Sequence, residues 1–460
     1  MVLRTIFPLL TFLLAACGYE APSEPTAPTA APTAAPTATL TAALTEISEP
    51  AATTIEESAA NTSEPNQIFT ALEANLQKEI DENVRAGFVT MIAKDGALIH
   101  NANLGMADRE KNIAMTPTTR FRIASMTKPI TTLAMMILVE EGKLSLNDPL
   151  TDFIPAFSNP KVVNDWMANE QGALPTHPAP SAITLHQLMT HTAGIGYLFD
   201  NQSDLGKLYI ENSLYFMEGD LNQRIENLAD LPLAAAPGQT WIYSYSTDVL
   251  GRVIEIASGQ DLESFMRSKI FAPLGMEDTE FLIDETDFDR LATVYLNSED
   301  GTLILPVRND LGPDPNAKSA GWASGGSGLV STAQDYMTFL QLLLNKGATN
   351  GVRIVSEETI EQMLLPQISN NQRPENWIEE GRSFGYGGWV TIEEGKAHAN
   401  ARIGQYGWSG YFDTAFGLSA NDNLAWISLS QHQRGPHDQP SKARNLVRDA
   451  AYAFSNEQTP

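Results

Sequence analysis

Phe121-Arg122-Ile123-Ala124-Ser125-Met126-Thr127-Lys128 leads directly into an apolar run over residues 129–141 that has the pattern of a helix. Ser125 and Lys128 stand three positions apart at the first turn of this helix, so their side chains lie on one face. Pro129 is tolerated there because the N–H groups of a first turn have no helical partner. The lysine amine can take the hydroxyl proton, and the helix N-terminus favours the negative charge that develops. The spacing therefore indicates a nucleophilic serine.

The Ser-x-x-Lys pattern is short, and it needs support from other parts of the sequence. A serine at a helix start usually serves as an N-cap. The pattern also occurs at Ser158-Asn159-Pro160-Lys161, where Pro155 and Pro160 favour a loop. Because Ser125 begins a predicted helix and Ser158 does not, Ser125 is the candidate that further motifs must support or exclude.

Composition limits the classes of function. The chain has 460 residues, of which 43% are hydrophobic, and its formal net charge is -27. This acidity argues against nucleic acid as a partner, because phosphate binding needs clustered Lys and Arg. We interpret it as a solvated surface. The sequence has no Cys/His cluster with metal-ligand spacing and no His-Glu-x-x-His, so we expect neither a metal nor a cofactor.

Residues 1–17 have the pattern of a secretory signal, with an early arginine, an apolar run over residues 5–14 and small residues before Cys17. Leu14-Ala15-Ala16-Cys17 resembles the bacterial lipobox. The resemblance implies cleavage before Cys17 and lipid attachment to its thiol. Lipid chains would hold the exported protein at a bacterial membrane, at the cell surface or in the periplasm. The alternative is an ordinary signal peptide with a chance cysteine.

The remaining sequence divides into a tether and a folded domain. Residues 18–66 are rich in Pro, Ala, Thr, Ser and Glu, and such a stretch buries too little apolar surface to fold, so it predicts a disordered, extended tether. The folded domain is predicted over residues 67–456, with a mostly helical subdomain within roughly 145–320. Strand patterns at 87–101 and 411–430, with helices between them, predict one sheet built from both ends of the domain.

The segment 121–128 resembles the nucleophile segment of the serine β-lactamase and penicillin-binding-protein superfamily, and further stretches match its class C branch in order. The match spans about residues 67–455, and an ordered set is more specific than any one motif. It implies a mixed α/β (α+β) fold, with an antiparallel sheet flanked by helices plus a mostly helical subdomain. The matching stretches are Leu188-Met189-Thr190-His191-Thr192-Ala193-Gly194, Pro237-Gly238-Gln239-Thr240-Trp241-Ile242-Tyr243-Ser244, the Gly-rich turn Gly325-Gly326-Ser327-Gly328 and Gly407-Trp408-Ser409-Gly410.

Two positions depart from the β-lactamase pattern. The tyrosine motif is commonly Tyr-x-Asn, and its asparagine helps to hold the amide side chain of β-lactams, whereas this chain has Tyr243-Ser244-Tyr245. Trp408 stands where β-lactamases have the lysine or histidine that helps to bind the β-lactam carboxylate. With Asp248 following the tyrosine motif and Trp408 in the third motif, the chain is most similar to the carboxylesterases of this superfamily, often called family VIII.

The resemblance implies a role for each candidate site residue. Ser125 would be the nucleophile, and Lys128 and Tyr243 are both candidates for the general base that a free hydroxyl needs. The acyl oxygen would lie between the backbone N–H groups of Ser125 and Tyr411, an oxyanion hole worth about 3 kcal/mol per donor. The predicted pocket and substrate-binding residues are Trp408, Ser409, Gly410 and Tyr245, and His191 is interpreted as a structural residue that satisfies loop carbonyls.

The predicted function is a serine hydrolase that cleaves a small-molecule ester or amide substrate through an acyl-enzyme on Ser125. A β-lactamase or D-amino-acid peptidase is a second interpretation, against which Trp408 and Tyr245 argue. A non-catalytic penicillin-binding-like protein is a third, and the intact Ser-Lys-Tyr set argues against it. An α/β-hydrolase would need Gly-x-Ser-x-Gly, and Gly407-Trp408-Ser409-Gly410-Tyr411 lacks the final glycine.

Overall fold

A computed structural model describes residues 66–306, 316, 321–373, 378–435 and 437–458. The predicted signal peptide, Cys17 and the predicted tether up to residue 65 lie outside the described residues. Within the described ranges, none of the helices is both long enough and apolar enough to cross a membrane.

The described chain begins with α1 and ends with α11, the strands of the large sheet lie near these two ends, and most of the short helices lie between them. The helices are α1 Gln67–Asp81, α2 Thr127–Glu140, α3 Leu185–Met189, α4 Asp204–Glu211, α5 Leu221–Ala229, α6 Ser246–Ser258, α7 Leu262–Met266, α8 Ala272–Leu274, α9 Ala333–Leu344, α10 Glu357–Leu364 and α11 Ala443–Glu457. The strands are β1 Gly87–Lys94, β2 Ala97–Asp108, β3 Ile113–Ala114, β4 Phe121–Arg122, β5 Lys161–Val163, β6 Thr176–Pro178, β7 Leu296–Asn297, β8 Leu303–Ile304, β9 Val330–Ser331, β10 Ala348–Thr349, β11 Val352–Arg353, β12 Arg382–Phe384, β13 Trp389–Thr391, β14 Tyr406–Gly410, β15 Thr414–Ser419 and β16 Leu424–Leu429.

The large sheet joins the two ends of the described chain. Among the described residues its strands run in the order β12-β13-β14-β15-β16-β1-β2-β3, and its neighbouring strands are antiparallel. At the centre, Val89 of β1 lies opposite Leu429 of β16. This arrangement confirms the predicted fold class, a mixed α/β fold with an antiparallel sheet flanked by helices.

Helices cover both faces of this sheet. Side chains alternate along β1, so successive residues pack against the helices of opposite faces. Phe88 and Ile92 face α1 and α11, where they join a buried cluster with Leu76 and Val447. Val89 and its alternate neighbours belong instead to the main core, which contains the buried residues of α2, α6 and α9. The sheet therefore separates a small core made from the two ends of the domain from a larger core that holds the middle of the chain.

Two predicted element boundaries are wrong. The strand predicted to begin at Tyr411 begins at Thr414, because residues 411–413 form the turn of a hairpin between β14 and β15. Asp413 takes a positive φ of 60°, a conformation that a strand does not contain. The apolar pattern over residues 437–454 predicts a closing helix, which begins at Ala443 in the structure, since Pro440 disfavours a helical conformation at the residue before it.

Leu76 tests the packing between the two ends of the domain. Its side chain is fully buried between α1, α11 and the sheet, so we expect Leu76→Ala to lower the free energy of unfolding by about 2–5 kcal/mol. Urea-induced unfolding measures this change. The matched control is Leu98→Ala in β2, where the side chain is 45% exposed and the expected change is within about 0.5 kcal/mol. Equal losses in both variants would contradict the packing described here.

Candidate active site

Ser125 lies in a tight turn at the start of α2. A single 3-10 turn, Ala124–Met126, precedes the helix, and Ser125 is only 7% exposed. Ala124 adopts a positive φ of 46°, which costs a residue with a side chain about 1–3 kcal/mol. The pairing of β4 with β9 and the hydrogen bond from Ile123 N–H to the Leu329 carbonyl (3.1 Å) hold this strained turn in place. The strain sits directly before the predicted nucleophile.

Lys128 and Tyr243 both reach the Ser125 hydroxyl. Lys128 Nζ lies 3.2 Å from Ser125 Oγ, and the Tyr243 hydroxyl oxygen lies 2.7 Å from it. The lysine side chain is fully buried, and its Nζ also donates to the Gly326 carbonyl at 2.8 Å. The same Nζ lies 4.6 Å from the centre of the Tyr243 ring. The three residues that the sequence predicted to act together are therefore in mutual contact.

Aromatic packing fixes the Tyr243 ring. His191, at a positive φ of 55° after α3, has its ring centre 5.0 Å from that of Tyr243. Trp241 also stacks on the Tyr243 ring, with ring centres 5.9 Å apart and an interplanar angle of 16°. Ile242 N–H donates to the His191 carbonyl at 2.8 Å, so the two segments are also joined through their backbones. The phenol therefore has little freedom to swing away from Ser125.

His191 is structural, but its partner differs from the predicted one. Its Nδ1 lies 2.9 Å from the Ser244 hydroxyl and does not meet a loop carbonyl. Burial, together with the charge of Lys128, places the pKa of His191 well below its ordinary value. The imidazole therefore stays neutral near neutral pH and supports the tyrosine segment as a packed, hydrogen-bonded side chain.

Strand β14 brings the third motif to the nucleophile. Gly410 packs so closely on the segment before Ser125 that a Cβ at this position would lie 2.3 Å from the Ile123 carbonyl oxygen. Thr414 Oγ1 donates to the same carbonyl at 3.2 Å. Only a glycine permits this approach, which places Tyr411 beside the nucleophile turn. Trp408, Ser409 and Gly410 are each partly exposed along this strand.

Trp408 and Tyr411 contribute rings to the wall of the site. The Trp408 ring centre lies 5.6 Å from that of Tyr243, and its indole N–H has no hydrogen-bond partner within the described ranges. Tyr411 is 39% exposed and stacks on Phe199 at 6.2 Å. Phe199 is nearly parallel to Tyr243 as well, at 6.2 Å. These rings give the site a largely apolar wall.

The prediction that Tyr245 lines the pocket is wrong. Its side chain is fully buried, its hydroxyl donates to Ser213 Oγ at 2.8 Å, and its ring packs edge-on against Tyr197 at 4.4 Å. Tyr245 lies at the start of α6, where the helix turns its side chain into the core. It supports the pocket wall through Tyr197 without offering a surface to a ligand.

Two contributors to the site were absent from the sequence prediction. Tyr197 packs on Tyr243 at 5.3 Å, and Lys128 Nζ lies 5.6 Å from its ring centre. The Gly326 carbonyl, predicted only as part of a structural turn, is a direct hydrogen-bond acceptor for Lys128. The glycines around it were the one available signal, because they allow close approach of a backbone. In the part of the chain that the structure describes, no group of His, Cys, Asp and Glu is arranged to hold a metal ion.

Comparisons with known proteins show the family to which the chain belongs. The sequence matches the Beta-lactamase family over residues 70–451. It is 30% identical to Esterase EstB of Burkholderia gladioli over 408 residues, which cover 83% of this chain and 94% of EstB. It is 32% identical over 368 residues to a Mycobacterium tuberculosis protein described as uncharacterized, covering 78% of this chain and 89% of that protein. The solved structure of EstCE1, a hydrolase with promiscuous acyltransferase activity, has a TM-score of 0.69 and 27% identity, covering 84% of this chain and 99% of EstCE1.

The chain belongs to the β-lactamase family, and its fold matches that of EstCE1. Within this family its relatives include an esterase and a hydrolase that also transfers acyl groups, and the chain is accordingly a serine hydrolase.

Gly410 tests how closely the third motif must approach the nucleophile. In Gly410→Ala the new Cβ would meet Thr414 Oγ1 at 2.2 Å and the Ile123 carbonyl oxygen at 2.3 Å, so strand and turn must separate. A displacement of about 1 Å costs about 100-fold in rate, and we expect kcat on an activated ester to fall by that order. Gly435→Ala is the control, because nothing lies within 4 Å of its Cβ position. Unchanged kcat in Gly410→Ala would contradict the inferred role of this contact.

Proposed function

We propose that this protein hydrolyses esters through a covalent acyl-enzyme on Ser125. The observation that carries the proposal is the buried contact of one hydroxyl with both an amine and a phenol, at 3.2 Å and 2.7 Å. A serine hydroxyl becomes a useful nucleophile when a base within hydrogen-bond reach removes its proton. Both Lys128 and Tyr243 meet that condition, since each lies within hydrogen-bond reach of Ser125 Oγ.

In the proposed reaction, Ser125 Oγ attacks the ester carbonyl carbon while its proton passes to the Lys128–Tyr243 pair. The carbonyl oxygen becomes an oxyanion, which the backbone N–H groups of Ser125 and Tyr411 would stabilise. The tetrahedral intermediate collapses, the C–O bond to the alcohol breaks, and the pair returns the proton to the leaving oxygen. Water then attacks the acyl-enzyme by the reverse sequence, which releases the acid and restores the serine.

The chemistry of the pocket wall favours neutral, apolar ester substrates. The motif position that supplies a basic residue in β-lactamases carries Trp408, which packs on Tyr243 and Phe384. Phe199 and Tyr411 continue the apolar surface outward, and each is 39% exposed. Burying an apolar acyl or alcohol group against such rings is favourable by about 25 cal/mol per Å². The indole of Trp408 itself cannot form the ion pair with a β-lactam carboxylate that a lysine or histidine at this position would form.

Ser125 provides the direct test. We expect Ser125→Ala to abolish turnover of p-nitrophenyl acetate and butyrate, since the hydroxyl forms the acyl bond, and to abolish labelling by a fluorophosphonate probe. Both are measured on the purified protein by absorbance and by mass spectrometry. Ser158→Ala removes the serine of the second Ser-x-x-Lys copy, which is exposed, and should leave both readouts unchanged. Turnover that survives in Ser125→Ala would refute the assignment.

The same preparation separates the ester proposal from the competing ones. We expect efficient turnover of p-nitrophenyl butyrate and slow turnover of nitrocefin and D-alanyl peptides. Nitrocefin turnover with an efficiency comparable to that of the ester would instead favour a β-lactamase. A folded wild-type protein that neither turns over these substrates nor reacts with the probe would favour a non-catalytic binding protein.

We further propose that the mature protein is lipid-anchored through Cys17 to a bacterial membrane. The lipobox-like stretch before Cys17 supports this location, and a Pro-rich tether would let the domain stand away from the surface. In a bacterial host, the wild type should incorporate labelled palmitate and partition into detergent, whereas Cys17→Ser should do neither. Equal labelling of both proteins would overturn the proposal.

A further inference from the structure

We propose that Asp248 is a positioning residue for Lys128, acting through the Gly-rich turn over residues 324–328. The inference deepens the proposed function and rests on it, since it concerns one of the two groups that can receive the Ser125 proton. Asp248 lies in the first turn of α6 and is fully buried. It makes no hydrogen bond to Ser125, Lys128 or Tyr243 among the contacts of the described residues, so its hydrogen bonds reach Lys128 only through other groups, while its charge also acts on Lys128 directly through space.

One carboxylate oxygen holds the turn at two points. Asp248 Oδ1 accepts a hydrogen bond from Ser324 Oγ at 2.5 Å and another from the Gly326 N–H at 3.1 Å. Hydrogen bonds to a charged acceptor are about twice as strong as neutral ones. Ser324 is itself buried, at 5% exposure, so water does not compete freely for its hydroxyl. The carboxylate therefore fixes both the start and the middle of the turn.

A continuous hydrogen-bonded path leads from this carboxylate to the amine. Ser324 Oγ donates to Asp248 and accepts from the Ser327 N–H at 3.1 Å. That N–H belongs to the same peptide group as the Gly326 carbonyl, which accepts from Lys128 Nζ at 2.8 Å. Each bond in such a path polarises the next, so the carbonyl facing Lys128 becomes a better acceptor. The Gly326 carbonyl binds one N–H of Lys128 and thereby holds Nζ within reach of Ser125 Oγ.

The surroundings of Asp248 make a buried carboxylate at this position unfavourable for stability. Its second oxygen, Oδ2, is buried with no hydrogen-bond partner among the described residues, so the loss of its hydration is not compensated. Burial also raises the pKa of Asp248. A Cβ on Gly326 would lie 2.4 Å from Oδ2, so the turn and the carboxylate fit together only with glycine there. An apolar residue would avoid this cost if Asp248 served only to fill the core.

The test compares Asp248→Ala, Asp248→Asn and Ser324→Ala, with kcat and KM measured on p-nitrophenyl butyrate and the fluorophosphonate labelling rate as a second readout. Asp248→Ala removes both bonds, and we expect kcat and the labelling rate to fall by about 10- to 100-fold with KM within about threefold. Asp248→Asn keeps an oxygen that can accept both bonds and should restore kcat to within about fivefold of the wild type. Ser324→Ala breaks the path in its middle and should lower kcat by an intermediate factor.

Asp335→Ala is the matched control. Asp335 is also a buried carboxylate in the first turn of a helix, and its Oδ2 accepts from the Asp278 N–H and Thr279 Oγ1, both at 2.9 Å and away from the site. It should lower the melting temperature and leave the kcat of the folded fraction unchanged. If Asp248→Ala does not fold, the Asn and Ser324 variants decide the question.

Three results would overturn the inference. They are a wild-type kcat in Asp248→Ala or Ser324→Ala, an Asp248→Asn protein as impaired as Asp248→Ala, and a loss in Asp248→Ala that appears only in the melting temperature, as in the Asp335 control. These results differ from failure of the proposed function, which would appear as turnover in Ser125→Ala.

Discussion

The buried amine of Lys128 is the constraint on which the site depends. Removing an ammonium group from water costs several kcal/mol, so its position is tolerated only where acceptors surround it. The Ser125 hydroxyl, the Gly326 carbonyl and the Tyr243 ring supply that environment from three separate segments of the chain. The strained turn at Ala124, the close approach of Gly410 and the aromatic packing around Tyr243 all serve to keep these segments together.

Local sequence patterns were sufficient for the parts of the site that lie on regular elements. Ser125 lies in the 3-10 turn that leads into α2 and Lys128 in the first turn of α2, and helical spacing across this junction places the two side chains on one face. The ordered motifs located Tyr243 and Trp408. The antiparallel sheet built from both ends was also predictable, because strand patterns near the two ends need partners. The Tyr411 turn, the buried orientation of Tyr245 and the acceptor role of the Gly326 carbonyl were not. The last two depend on contacts between segments far apart in sequence, about which periodicity says nothing. The Tyr411 turn is a local hairpin, and its apolar residues have the same pattern as the strand that follows it.

The departure from the β-lactamase pattern concerns the third motif, where Trp408 takes the position of a basic residue. The nucleophile and its two partners can serve acyl transfer from esters, amides or lactams alike. Specificity depends on the walls, which here include the rings of Trp408, Phe199 and Tyr411. The same catalytic geometry can thus serve different substrates when only the surrounding side chains change.

The pairing of β1 with β16 has a consequence for how the enzyme is made. Because Val89 pairs with Leu429, the sheet that supports the site cannot close until nearly the whole chain has left the ribosome. Ser125 and Lys128 are synthesised long before β14 and β15, so the pair waits in an unfolded chain without its tyrosine-bearing and glycine-bearing neighbours in place. A nascent chain that has not yet reached Leu429 therefore lacks the strand that joins the two ends of this sheet.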